Sequence, residues 1–149
     1  MKAVCKKGRG VSLVEQAVPQ GDGVRIRVAS AGICGSDLHM VGMDLPVAGI
    51  LGHEFAGLAP DGRPVAVEPL SPCGRCPLCA AGDYNLCTLG MSMALGIGRD
   101  GGMCEEVLVP ERALVPLPSG VAVGDACLVE PLAVCTHGLR IAGLRGDQK

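Results

Sequence analysis

The chain has 149 residues, enough for one buried core but not comfortably two, with 48% hydrophobic and 19% charged residues. Its net charge is −2 and no Lys/Arg run supplies a phosphate-tracking patch, so no nucleic-acid partner is expected. One Phe, one Tyr and no Trp argue against base-stacking platforms, and no apolar run reaches the length of a membrane span, so no membrane partner is expected either.

Residues 1–6 and 11–18 read as short strands around a turn at Gly8 and Gly10. Residues 24–29 alternate apolar and charged, which places Val24, Ile26 and Val28 toward a core and Arg25 and Arg27 outward. Gly32 and Gly35 break that strand, and Ser36 is the expected N-cap of one helical turn over 36–40. Residues 49–57 and 65–69 read as further strands separated by a turn at Asp61 and Gly62. Residues 104–109 and 113–117 follow as strands punctuated by Pro110 and Pro116. Residues 125–144 have helical spacing, with Pro131 expected to break the helix or start a second one. The 23 glycines and 11 prolines suit such short strands and many turns. The expected class is mainly β with short helices and a helical C-terminal segment.

Residues 71–90 show little periodicity, so something other than a hydrophobic core must hold them. The N-terminus carries Lys2, Lys6 and Lys7 with no apolar stretch behind them, so no signal peptide is read and a cytoplasmic, reducing compartment is expected. In that setting nine cysteines, an odd number, point to metal rather than to disulfides. Cys73, Cys76, Cys79 and Cys87 are spaced C-x2-C-x2-C-x7-C, which lets four thiolates turn to one point and close a tetrahedral zinc site. An iron–sulfur cluster is the rival, but the bacterial ferredoxin spacing ends C-x3-C-P, and here the last interval is seven with no Pro behind Cys87. The remaining Cys5, Cys104, Cys127 and Cys135 read as buried thiols, and Met91, Met93 and Met103 as fillers of a core short of aromatics.

A second constellation lies upstream. Cys34, His53 and Glu54 offer one thiolate, one imidazole and one carboxylate, which with a water describe an open, catalytic zinc site. Taken singly, each residue reads as an ordinary core or surface residue. Together, GICGSDLH (32–39), GHE (52–54) and the four-cysteine run resemble the zinc-containing alcohol dehydrogenases of the medium-chain dehydrogenase/reductase superfamily, in that family's order and with roughly its intervals. GGMCEEVLVP (101–110) is similar to the strand that follows the zinc loop there.

The resemblance implies a GroES-like, partly open β-barrel domain over 1–149 with its structural zinc loop at 71–90. It implies two zinc ions: a catalytic one on Cys34 and His53 with Glu54 as a direct or intermittent ligand, and a structural one on Cys73, Cys76, Cys79 and Cys87. Asp37 would hydrogen-bond the ligand imidazole and fix its tautomer. Ser36 would start a proton relay that His39 continues near the cofactor ribose. Glu130, in an EPL motif, resembles the polyol branch typified by sorbitol and threonine dehydrogenases, and implies a carboxylate at or near the catalytic zinc; on bare sequence it is an acid near a helix N-terminus. The implied substrate is a small alcohol, polyol or sugar-like molecule, and the implied intact enzyme is a homo-oligomer using NAD or NADP.

A dinucleotide site is not legible. GIGRDG (96–101) matches G-x-G-x-x-G, but a strand reading follows it where a helix should open, so it reads as a turn. In the family a Rossmann domain would begin after Leu144, so NAD or NADP would sit in a domain missing from this chain, which alone is expected to be inactive. The alternative is a stand-alone zinc-binding structural module without redox activity.

Overall fold

The structure is a computed structural model and describes residues 1–43, 47, 49–144 and 146. The expected start of a nucleotide-binding strand beyond Leu144 falls mostly outside these residues.

The alternating segment forms β3 (Val24–Ala31), the centre of the architecture. On one side it pairs antiparallel with β6 (Glu106–Val109) and on the other with β4 (Phe55–Leu58). Strands β5 (Pro64–Val67) and β7 (Leu114–Pro116) extend the sheet, giving the order β6-β3-β4-β5-β7. This is the mainly β, half-barrel architecture expected, with β6 and β7 as its edges. A separate hairpin, β1 (Lys2–Lys7) with β2 (Gly10–Glu15), covers one end.

The period-2 pattern decides the core. Ile26 is fully buried with Phe55, Val65, Val67, Leu95, Val107 and Val109, and Val24 and Val28 pack against that cluster. Burying side chains of this size contributes roughly 1.5–3 kcal/mol each. The register of β3 against β4 slips between Val28 and Ser30, and such a bulge bends a strand end. Here the bent end leads straight into Cys34.

Helix α1 spans Gly35–Gly42. Its N-cap is Cys34, not the expected Ser36, because the Asp37 carboxylate reaches back to the Cys34 amide and starts the helix two residues earlier. Residues 49–54 are not the expected strand. Positive φ at Gly49 and Gly52 interrupts it, and its amides and carbonyls pair instead with residues 4 and 101–103. Helix α2 (Pro77–Ala80) lies within the cysteine loop.

Helix α3 spans Val129–Ile141 with Pro131 in its first turn, where a missing N–H costs nothing. Its apolar residues are not core: none is buried, and Leu132, Val134 and Ile141 are 62%, 62% and 74% exposed. Cys135 is exposed rather than buried, and Met91 points to solvent instead of filling the interior. GIGRDG forms a turn as expected, since Gly96 N–H donates to the Arg99 carbonyl and the next element is β6. Among the described residues no helix is long and apolar enough to cross a membrane.

Candidate metal centres

The four-cysteine loop has almost no interior. Within 71–90 only Ser71 and Cys87 are buried. Its order comes from amides aimed at sulfur: Cys73 N–H donates to Cys87 Sγ at 3.3 Å, Cys76 N–H to Cys73 Sγ at 3.4 Å, and Cys79 N–H to Cys76 Sγ at 3.5 Å. Pro77 at the first position of α2 pre-sets the turn that Cys76 caps. Cys76 and Cys79 sulfurs are 3.4 Å apart and those of Cys73 and Cys79 3.9 Å, and all four sulfurs lie within 4.8 Å of one another. Zinc–sulfur bonds of about 2.3 Å in a tetrahedron put sulfurs about 3.8 Å apart, so the donor set fits the ion. The thiols also act on one another. Amides of Thr88 and Cys79 bring the Cys76 thiol down to about 5, whereas burial and the neighbouring Cys76 push Cys79 up to about 12. Four negative sulfurs cannot share this space without a compensating charge.

Arg112 ties the loop to the sheet. It sits in the 3-10 turn Glu111–Ala113, and its guanidinium donates to Ser71 Oγ at 3.3 Å and to the Pro72 carbonyl, the residue before Cys73. Sequence reasoning missed Arg112, since a contact spanning 40 residues leaves no local signal.

The second centre is assembled from distant segments. Cys34 ends the extension of β3, and His53 and Glu54 precede β4. One ligand atom from each lies within 4.8 Å of the other two, and His53 and Glu54 are buried. Asp37, 3% exposed, bridges Cys34 and His53: one carboxylate oxygen accepts from Cys34 N–H at 2.9 Å and the other lies 3.5 Å from His53 Nδ1. Neither of the latter two atoms has another hydrogen-bond partner. Burial pushes the Asp37 carboxyl up, but contacts with His53 and the Cys34 and Gly52 amides outweigh it and hold it below the usual range. The Asp37 contact raises His53 to about 9 against the opposing effect of burial. In the neutral ring a proton on Nδ1 facing Asp37 leaves Nε2 free to ligate, and Nε2 lies 3.3 Å from Ser36 Oγ. Thiolate, imidazole and carboxylate donors suit zinc.

His39 lies three residues beyond Ser36 on α1 and is exposed. Glu130 opens α3 and does not join the ligand-distance group, yet it faces it. Burial raises its carboxyl, and the charges of His53 and Glu54 act on it in opposite directions. Glu130 also edges a cleft of about 580 Å³ between α3 and residues 66–70, with Tyr84 and His137. A hollow of about 700 Å³ over β3, β4 and β6 shares no residue with either centre.

Residues 20–119 match the family described as "Alcohol dehydrogenase GroES-like domain". The chain is 34% identical over 161 residues to galactitol 1-phosphate 5-dehydrogenase of Escherichia coli K12, covering 95% of this chain and 45% of that protein. It is 36% identical over 155 residues to sorbitol dehydrogenase of Halalkalibacterium halodurans, covering 92% and 44%. The crystal structure of an alcohol dehydrogenase, rspB, from E. coli CFT073 in complex with NADH superimposes with a TM-score of 0.83 at 34% identity, over 93% of this chain and 44% of that one. The chain thus spans less than half the length of these relatives.

Proposed function

We propose, on the premise that the chain belongs to the alcohol dehydrogenase GroES-like domain family, that it is the catalytic domain of a zinc-dependent, NAD(P)-linked alcohol or polyol dehydrogenase. Cys34, His53 and Glu54 hold the catalytic zinc, with Glu130 beside it, and Cys73, Cys76, Cys79 and Cys87 hold the structural one. When bound, the catalytic ion lowers the pKa of an alcohol hydroxyl and polarises the product carbonyl.

The chain's own residues do the rest. Asp37 orients His53 by holding Nδ1. Ser36 Oγ, next to His53, takes the hydroxyl proton, and exposed His39 on the same helix passes it to solvent. A nicotinamide, when bound, would supply the acceptor for the carbon-bound hydrogen and its electron pair. The substrate is a small alcohol, polyol or sugar-like molecule, in keeping with the names of the galactitol phosphate and sorbitol relatives. The enzyme acts in the cytoplasm as a homo-oligomer.

The observation that carries this reading is the Asp37 bridge between Cys34 and His53, which joins a thiolate from one segment to an adjoining imidazole and carboxylate from another in one cluster. Metal analysis of the intact protein tests it. Two zinc ions per chain are expected, falling to one in Cys34→Ser with loss of NAD(P)-linked polyol oxidation. One zinc in both proteins would favour a structural zinc module instead.

A further inference from the structure

The pair His53–Glu54 is held by backbone from two sides. On one side Gly101 N–H donates to the Ile50 carbonyl at 2.9 Å, Met103 N–H to Leu51 at 2.9 Å and Gly102 N–H to Gly52 at 2.8 Å. On the other, Gly32 N–H donates to the Glu54 carbonyl at 2.7 Å. The Gly101 flank approaches too closely for any side chain, and at Gly32 a side chain would collide with the Glu54 carboxylate. A Cβ on Gly101 would stand 2.1 Å from the Gly52 carbonyl oxygen, 2.5 Å from Gly96 Cα and 2.7 Å from the Leu51 carbonyl oxygen. All three are backbone atoms, and Gly101 has no positive φ, so the constraint is space alone. A Cβ on Gly32 would stand 2.4 Å from Glu54 Oε2 and 3.2 Å from Glu54 Cβ.

We infer that Gly32 and Gly101 are positioning residues of the Cys34–His53–Glu54 centre. Gly32 leaves the space in which the Glu54 carboxylate stands, and Gly101 sets the Gly52 backbone from which His53 projects. Neither touches substrate. Each acts through one candidate ligand: a methyl at Gly32 displaces the Glu54 carboxylate, and a methyl at Gly101 moves the peptide before the His53 imidazole. The two glycines lie on segments that share no hydrogen bond with the cysteine loop, so their effect should stop at the mixed-ligand centre.

This inference rests on the proposed metal centre, and cobalt(II) binding to the intact protein separates the two. Cobalt reports each site by its own visible spectrum, since four thiolates give intense charge-transfer bands and a mixed site with one thiolate gives weaker ones. The expected result is that Gly32→Ala and Gly101→Ala bind cobalt at the mixed centre about 10–100-fold more weakly, as loss of supporting contacts around a ligand does. The four-thiolate bands and their affinity should be unchanged. Gly124→Ala, where the new methyl meets open space, should bind like the parent. If Gly101→Ala fails to fold, Gly32→Ala still decides, because its methyl meets mainly the mobile end of a side chain. A folded variant with parental affinity at the mixed centre removes its glycine from the proposal. A parent showing four-thiolate bands only would overturn the metal centre itself, and the inference with it.

Discussion

The two cysteine-bearing centres are built by opposite strategies. The 73–87 loop gathers four donors from one short stretch and has next to no buried interior beneath it. The Cys34–His53–Glu54 centre gathers three donors from two separate segments, but each hangs from the sheet: Cys34 from the end of β3, and His53 and Glu54 from the start of β4. On the proposed reading, a metal would supply the structure of the first, whereas the fold supplies the donor set of the second. Closed thiolate sites contribute folding energy outright, whereas open sites are shaped in advance by the surrounding protein.

The largest effect is expected where metal and fold are the same thing. Cys87→Ser should lose the loop's metal and leave 71–90 open to protease, since structural zinc contributes on the order of 10 kcal/mol that is largely folding energy. The β3–β4 ladder and cobalt binding at Cys34 should survive. A loop that stays protease-resistant without its metal would break the contrast. A smaller effect is expected in the second centre. Asp37→Asn keeps the shape of the bridge but weakens its charge-assisted hold on His53 Nδ1, so metal affinity there should fall about 10–100-fold with little change in melting temperature. Unfolding of the whole domain by this substitution would show that the second centre, too, holds the structure together.

The same contrast explains what could be read from sequence. The four-cysteine loop was legible because its donors are local, and spacing alone brings sulfurs to one point. β3 was legible because its alternation fixes both its type and its buried face. The second centre was legible only through family resemblance. Nothing near Cys34 says that His53 and Glu54 stand beside it, since that depends on the pairing of Ala31 with Phe55. The helix within 125–144 was legible from its spacing, but spacing shows that a face is apolar and not what covers it, and none of the α3 residues is buried. The strand expected over 49–54 failed for the same reason: its partners lie about the 101–103 turn, and long-range backbone pairing overrides local propensity.

Arg112 is the point where the two strategies meet. It belongs to the sheet side, in the turn between β6 and β7, yet its guanidinium holds Ser71 and Pro72 at the entrance of the metal loop. If the loop is ordered by metal alone, removing this clamp changes nothing. If the body of the domain also sets where Cys73 enters the site, Arg112→Ala should let a chelator strip the four-thiolate centre faster. The contact is partly exposed, so its net worth is about 1 kcal/mol, or roughly fivefold in the stripping rate. Arg112→Lys should recover part of the effect, because both bonds come from the single nitrogen Nη2 and an ammonium also carries enough donors for two, at the end of a differently shaped stem. Cobalt at Cys34 provides the internal control: it should leave at the parental rate in both variants, because the clamp and the second centre share no hydrogen bond.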